Sequence, residues 1–306
     1  MTPTVEIDGV TKRYRSIQAV RDVSFRLPAG ETIALVGHNG AGKTTLLKLM
    51  LGLIHPTAGG IRVLGENPAA GEFAARRRLG YLPENVAFNA ALSGRETLSF
   101  YARLKGEPVA KALGLLARVG LEAASARRVG TYSKGMRQRL GLAQALIGAP
   151  RVLLLDEPTT GLDPELRVSF YEIVQELRDS GATVVLSSHA LTELEERADR
   201  VIIMNRGVMV ANGSIEALRR IACLPTRIRL TVPDLRPAAI PAWLGPVEGW
   251  RQVNGHLLEI DAAAEDKMAL LRRATGAGAP VQDVDLIPPT LDDLYAHFLR
   301  SQETAP

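Results

Sequence analysis

Cysteine is nearly absent. Cys223 is the single one in 306 residues, which excludes a disulfide framework and a thiol metal cluster and fits a reducing compartment. Long apolar runs are missing too. No stretch approaches the roughly 20 residues that cross a bilayer, and Met1–Tyr14 lacks the apolar h-region of a secretory signal. The chain is therefore expected to be soluble and to serve any membrane from outside the bilayer. Charge of one sign is also lacking: the formal net charge is +4, too weak for the concentrated basic footprint of a nucleic-acid binder. The five histidines, at 38, 55, 189, 256 and 297, are scattered, so no copper(I) site of clustered Cys, Met or His is expected here.

What is present is a large apolar fraction, 46%, enough for one large domain and a small one. Thr32–Val36, Arg151–Asp156, Thr183–Ser187 and Val201–Met204 are short runs of Val, Ile and Leu, the pattern of parallel strands covered on both faces. Residues 95–150, rich in Leu, Ala and Arg, read as mainly helical. The texture changes near Cys223–Thr226. Beyond it, Arg227–Val232, His256–Ile260 and Val281–Leu286 read as strands and Ala264–Thr275 as a helix, while Pro233–Pro246 is broken by four prolines. Thr290 is the expected N-cap of a last helix over Thr290–Leu299, with Leu291, Leu294, Tyr295 and Phe298 on one face. The expected division is an α/β domain over 1–222, with a helical subdomain at about 85–150, and a small α+β domain over 226–306.

Gly37-His38-Asn39-Gly40-Ala41-Gly42-Lys43-Thr44-Thr45 follows the first strand and opens a helix, matching G-x-x-x-x-G-K-[ST] in the context that motif requires. Glycines let backbone N–H groups wrap phosphates. Lys43 is placed to reach the β- and γ-phosphates and the Thr44 hydroxyl to ligate Mg²⁺. A buried strand then ends in Asp156 and Glu157: Asp156 is placed to hold Mg²⁺ and Glu157 to act as general base on a water. Tyr132-Ser133-Lys134-Gly135-Met136 precedes a helical run and puts Ser133 and Gly135 where a helix N-terminus faces an anion. The run Arg76-Arg77-Arg78 reads as a solvated face.

Taken in order, these segments resemble the nucleotide-binding domain of ABC transporters over about residues 5–215. The phosphate loop resembles Walker A, Val152–Asp156 Walker B, Tyr132–Met136 the signature in the Y-S-K-G-M form of ABC-2-type subunits, Gly161-Leu162-Asp163 the D-loop and Ser187-Ser188-His189 the H-loop. The resemblance implies an ABC-type P-loop α/β fold with a helical subdomain and an ATP hydrolase using Mg²⁺. It also implies that Tyr14 stacks on adenine, that the His189 ring bonds the γ-phosphate, and that Ser133, Gly135 and Asp163 complete the site. Two copies are expected to close on two ATP molecules and to pull on a separate transmembrane permease at the inner face of the cell membrane. The sequence departs from the family pattern at Lys134 and Met136, where Gly and Gln are usual, and at Glu84, where most members have Gln. Glu84 can still ligate the ion or accept from its water, but cannot donate a hydrogen bond.

A narrower resemblance runs through Gly80–Val86, Leu92–Leu98, Ala102–Gly106, Tyr132–Leu146, Leu224–Arg229 and Thr290–Tyr295. It points to the ATPases that serve copper-site assembly in nitrous oxide reductase, and with them to a periplasmic accessory protein as a further partner. The alternatives are another ABC-2-type exporter of drugs, lipids or polysaccharides, or, from another class, a soluble regulatory or translation-associated ABC ATPase. The latter usually carries two cassettes or a long coiled coil. One phosphate loop and no sustained heptads argue against it.

Overall fold

The computed structural model describes residues 2–70, 73–233, 240–245 and 249–303. Packing divides the chain into two compact units, 1–213 and 214–306. In the first, the chain runs β1 (Val5–Tyr14), β2 (Ile17–Leu27), β3 (Thr32–Val36), α1 (Lys43–Met50), β4 (Ala58–Val63), α2 (Phe73–Arg77), β5 (Leu79–Leu82), α3 (Gly94–Lys105), α4 (Val109–Arg118), α5 (Lys134–Ala145), β6 (Val152–Asp156), α6 (Pro164–Asp179), β7 (Thr183–Ser187), α7 (Leu191–Glu195), β8 (Arg200–Asn205) and β9 (Val208–Gly213).

The central sheet has the order β5-β6-β7-β3-β8-β9 and is parallel except for β9. Every residue of β3, β6 and β7 is buried, which is why those segments read as unbroken apolar runs rather than alternating ones. A second sheet, β2-β1-β4, is antiparallel. The sequence pattern does not announce it: register shifts interrupt the burial alternation, so β1 lacks a clean two-residue period. One apolar core joins the two sheets through Val5, Ile7, Val20, Leu35, Leu46, Leu47 and Met204.

Helices α3, α4 and α5 fall inside the stretch expected to be helical. Helix α3 begins with a capping box: Ser93 Oγ accepts from Glu96 N while Glu96 accepts from Ser93 N at 2.7 Å, and Gly106 ends the helix in the left-handed region.

The second unit contains α8 (Ile215–Ala222), β10 (Thr226–Thr231), α9 (Ile240–Leu244), β11 (Trp250–Asn254), β12 (Leu257–Ala262), α10 (Lys267–Ala274), β13 (Asp283–Ile287) and α11 (Leu291–Glu303). Its antiparallel sheet, β11-β12-β10-β13, buries Ile228, Leu230, Leu258 and Ile260 on one face with Leu244, Leu270 and Ala274. Helix α8 belongs to this unit and packs with α11, so the division falls ahead of residue 222. Arg219 Nε donates to the Pro289 carbonyl at 2.8 Å, tying α8 to the turn before α11. Thr290 caps α11 as expected: its Oγ1 accepts from Asp293 N at 3.2 Å and Asp293 accepts from Thr290 N at 2.9 Å. The strand expected from His256 starts one residue later, because Asn254 Oδ1 accepts from the backbone N–H of both His256 and Leu257 and holds His256 in the turn. Among the described residues no helix is long and apolar enough to cross a membrane.

Candidate functional site

The C-terminal ends of β3, β6, β7 and β8 point the same way, and the turns that follow them build the site, as open α/β sheets dispose them. After β3, residues 37–42 curl back before α1. Gly42 has φ of +105°, and a Cβ there would sit 2.4 Å from the Ala19 carbonyl oxygen, so only glycine fits. At Gly37 a Cβ would lie 2.5 Å from the Met204 carbonyl oxygen. The loop opens onto a cavity of about 660 Å³ whose lining includes His38, Asn39, Gly40, Ala41, Gly42, Lys43, Thr44 and Thr45.

Lys43 is buried. Its Nζ donates to the carbonyls of Gly37 at 2.5 Å and His38 at 3.3 Å. Burial lowers its pKa, while the carboxylates of Glu157, Asp156 and Glu84 oppose that shift. The ammonium thus folds back on its own loop, within reach of a phosphate that would replace two neutral carbonyls by a charged acceptor. His38 is held by Asn205 at the end of β8, Nε2 to Oδ1 2.8 Å.

Asp156, the last residue of β6, is 3% exposed, and both its oxygens are bonded: Thr44 Oγ1 donates to Oδ2 at 2.9 Å and Ser187 Oγ to Oδ1 at 2.6 Å. Strand register explains the second contact, because Asp156 of β6 pairs with Ser187 of β7. The same hydroxyl accepts from the Glu157 backbone N–H at 3.1 Å. Glu157 leaves the sheet in the left-handed region, φ +49°, a conformation uncommon for a side chain of this type. That turn aims its carboxylate at His189, whose Nδ1 lies 2.8 Å from Glu157 Oε2. The His189 side chain is 76% exposed, whereas Glu157 is 13% exposed.

Glu84 leaves β5 two residues beyond Leu82, which pairs with Leu155 of β6. Its charge is felt at Lys43 and at Tyr81, whose phenol is pushed up to about 12 by burial first and then by Asp156 and Glu84. Thr44, Asp156 and Glu84 are hard oxygen donors. Among the described residues no three His, Cys, Asp or Glu side chains form a metal cage. A hydroxyl and carboxylates are the oxygen donors that Mg²⁺ takes, together with waters and substrate phosphates.

The remaining sequence-derived residues lie elsewhere in the first unit. Ser133 caps α5, its Oγ accepting from Met136 N at 3.1 Å. A Cβ on Gly135 would lie 3.2 Å from the Gly161 carbonyl oxygen, so the start of α5 packs on the turn before α6. Asp163 caps α6, Oδ1 accepting from Leu166 N at 2.9 Å. None of the three lines the phosphate-loop cavity. Tyr14 does not line it either: it ends β1 with the Lys12 ammonium 5.0 Å from its ring centroid, and the next hairpin residues, Ser16, Ile17 and Gln18, form the wall instead. Sequence reasoning missed Ser187 as a bridge between Asp156 and Glu157, Asn205 as the anchor of His38, and Arg21 and Arg206 in the cavity wall. Aligning the ends of Val152–Asp156 and Thr183–Ser187 would have found Ser187.

Comparison with known proteins agrees with this geometry. A family profile described as ABC transporter matches residues 20–160. The chain is 35% identical over 302 residues to the daunorubicin resistance ATP-binding protein DrrA3 of Streptomyces coeruleorubidus, covering 96% of this chain and 95% of that one. It is 36% identical over 260 residues to the Nod factor export ATP-binding protein I of Burkholderia orbicola, covering 83% and 84%. A solved ATP-binding subunit of an ABC transporter superposes with a TM-score of 0.68 at 32% identity, over 72% of this chain and 93% of that one.

Proposed function

The chain belongs to the ATP-binding proteins of ABC transporters, and from that premise we propose that it hydrolyses ATP at the edge of its parallel sheet to drive a separate transmembrane permease. The observation that carries the site assignment is the meeting of Lys43, Asp156, Glu157 and His189 at the ends of β3, β6 and β7. In this reading the loop N–H groups and Lys43 hold the β- and γ-phosphates. Glu157 takes a proton from the attacking water, a role worth about 10²–10⁴ in rate. His189 orients Glu157 through Nδ1 and presents Nε2 to the γ-phosphate. Thr44, Asp156 and Glu84 would hold Mg²⁺, which supplies charge neutralisation at the phosphates. Tyr14 serves the adenine ring from the rim.

Ser133 and Asp163 cap the starts of α5 and α6, and Gly135 lies in the first turn of α5; with the family resemblance, that placement supports a homodimer in which each copy completes the other's site. Losing the γ-phosphate would remove the charge that the α5 N-terminus holds. The dimer would work from the cytoplasmic side as a peripheral subunit. The test is a pair of variants: Lys43→Ala loses tight ATP binding and hydrolysis, while Glu157→Gln keeps binding. Near-normal turnover in Lys43→Ala would overturn the site assignment.

For the transport system, the narrower resemblance supports a subunit like NosF, serving copper-site assembly in nitrous oxide reductase together with a periplasmic accessory protein. A drug-resistance or Nod-factor type of exporter is the second reading, favoured by relatives matching along most of the chain. Deleting the gene separates them. Nitrous oxide reductase that accumulates without its copper supports the first; a fully loaded enzyme and a new drug sensitivity support the second.

A further inference from the structure

Lys12 stands on β1 two residues before Tyr14, the spacing at which side chains of a strand share a face. Its ammonium lies over the Tyr14 ring, 5.0 Å from the centroid. The same ammonium donates to the His55 carbonyl at 2.7 Å. Two backbone groups beside it are fastened to the same segment: Arg13 N donates to Thr57 Oγ1 at 3.0 Å, and Thr57 N donates to the Thr11 carbonyl at 2.7 Å. His55 and Thr57 belong to the chain that follows α1, the helix whose first turn carries Lys43 and Thr44. The strand that bears Tyr14 and the segment that continues the phosphate-loop helix are thus tied together around Lys12. The Tyr14 ring is otherwise open. The residue is 43% exposed, and among the described residues no second aromatic ring packs on it.

An ammonium over an aromatic ring is attracted by the negative face of the π system, and it occupies that face. The opposite face is left for another flat group. Two aromatic faces repel when stacked squarely, because each carries the same negative charge. A cation behind one ring draws its π density away from the free face and relieves that repulsion. The ammonium also holds the ring in one orientation before any ligand arrives, so binding need not order it. We propose that Lys12 is a positioning residue for the nucleotide base: it clamps Tyr14 from one face and fixes the platform on which adenine stacks from the other. The inference rests on the reading of Tyr14 as the adenine residue. It adds why that exposed ring is pre-ordered, and why the platform keeps its place relative to the phosphate loop: the His55 carbonyl that anchors Lys12 lies on the chain leaving α1.

The test is calorimetric titration of the full chain with two magnesium-loaded probes: the non-hydrolysable ATP analogue AMP-PNP, and inorganic tripolyphosphate, which has no base. Lys12→Met should weaken AMP-PNP binding about two- to tenfold, the range for losing one pre-ordered side chain, and leave tripolyphosphate binding unchanged. Lys12→Arg should restore the affinity, because a guanidinium also sits on aromatic faces. In turnover, KM for ATP should rise in Lys12→Met while kcat stays the same. In a Tyr14→Leu background, Lys12→Met should cost nothing further, since the two act as a pair. Equal losses for both probes would reduce Lys12 to a support of the fold and overturn the inference. So would AMP-PNP binding that is unchanged or tighter in Lys12→Met while Tyr14→Leu weakens it, an outcome that leaves the adenine reading of Tyr14 standing. If Tyr14→Leu itself binds AMP-PNP like the wild type, that reading falls and the role of Lys12 falls with it.

Discussion

His189 Nδ1 sits 2.8 Å from Glu157 Oε2, and the two residues come from the ends of adjacent parallel strands. With the carboxylate ionised, the ring donates its Nδ1 proton and turns Nε2 outward. Glu157 is largely sheltered while His189 is mostly exposed, so in the proposed reading a sheltered base is paired with a solvent-facing sensor of the γ-phosphate. His189→Ala should change stability by no more than about 0.5 kcal/mol, as surface substitutions usually do, yet lower kcat at least tenfold because Glu157 loses its orientation. Chemical denaturation and steady-state ATPase assays on the same preparation check both. An unchanged kcat would detach His189 from the reaction.

Glu157→Gln keeps the side chain's shape and removes the carboxylate proposed as the base. We expect kcat to fall by about 10²–10⁴, and ATP-bound dimers to accumulate where the wild type shows only transient ones. Sedimentation with Mg-ATP, repeated with the membrane partner present, reads the second effect. A fully assembled variant that turns over normally would remove Glu157 from the role of base.

Ser187→Ala tests the hydroxyl that serves two neighbours. It removes the donor 2.6 Å from buried Asp156 and the acceptor of the Glu157 N–H. Leaving such groups short of a partner costs about 1–3 kcal/mol. The denaturation midpoint should fall accordingly, and kcat with it, because the left-handed turn at Glu157 loses a support. Retained stability would mean that water replaces the hydroxyl.

The phosphate loop, the paired carboxylates and the buried strands were legible because each depends on a short local pattern: glycines at fixed spacing, or five apolar residues ending in acid. The antiparallel sheet β2-β1-β4 was not, since its pairing is nonlocal and bulged. Ser187 was quoted as part of a motif, but its bridging role depends on register between strands some thirty residues apart. Tyr14 shows the opposite limit. Motif position proposes it for adenine, and the residues of the hairpin after it, Ser16, Ile17 and Gln18, which no motif singles out, line the cavity. Local sequence specified the chemistry; the packing of distant segments specified what holds it in place.

The two-unit packing bears on truncation. A chain ending near 224 keeps α8 but removes α11, and with it the partner beside buried Leu218 and Ile215. A chain ending at Gly213 cuts at the boundary itself. We expect the shorter chain to stay monodisperse and retain basal ATPase, and the longer one to aggregate. Light scattering and turnover compare them. A folded 1–213 fragment that binds ATP without hydrolysing it would place part of the site in the second unit.

Lys105 gives a pH dependence with a definite sign. It ends α3, and its Nζ donates to the carbonyls of Leu79 at 2.9 Å and Ile147 at 2.6 Å, binding α3 to the start of β5 and the end of α5. Burial lowers its pKa to about 8, with Glu107 opposing the shift. Between about pH 8 and the ordinary lysine value of 10.5, the unfolded chain holds a proton that the folded chain has released. Stability therefore rises with pH across that window. Below pH 8 both states are protonated and the slope from this residue vanishes. At about 1.4 kcal/mol per pKa unit, the full rise is at most about 3 kcal/mol. Lys105→Met lacks the titration and also leaves two carbonyls without a donor, so it should be less stable throughout. Its deficit relative to the wild type should widen from pH 8 to 10.5, because a neutral amine still donates to those carbonyls without the cost of a buried charge. Urea denaturation of both proteins at intervals between pH 7 and 10.5 measures the difference, in which groups common to both cancel. A gap that stays constant with pH would show that Lys105 titrates alike in the folded and unfolded chain.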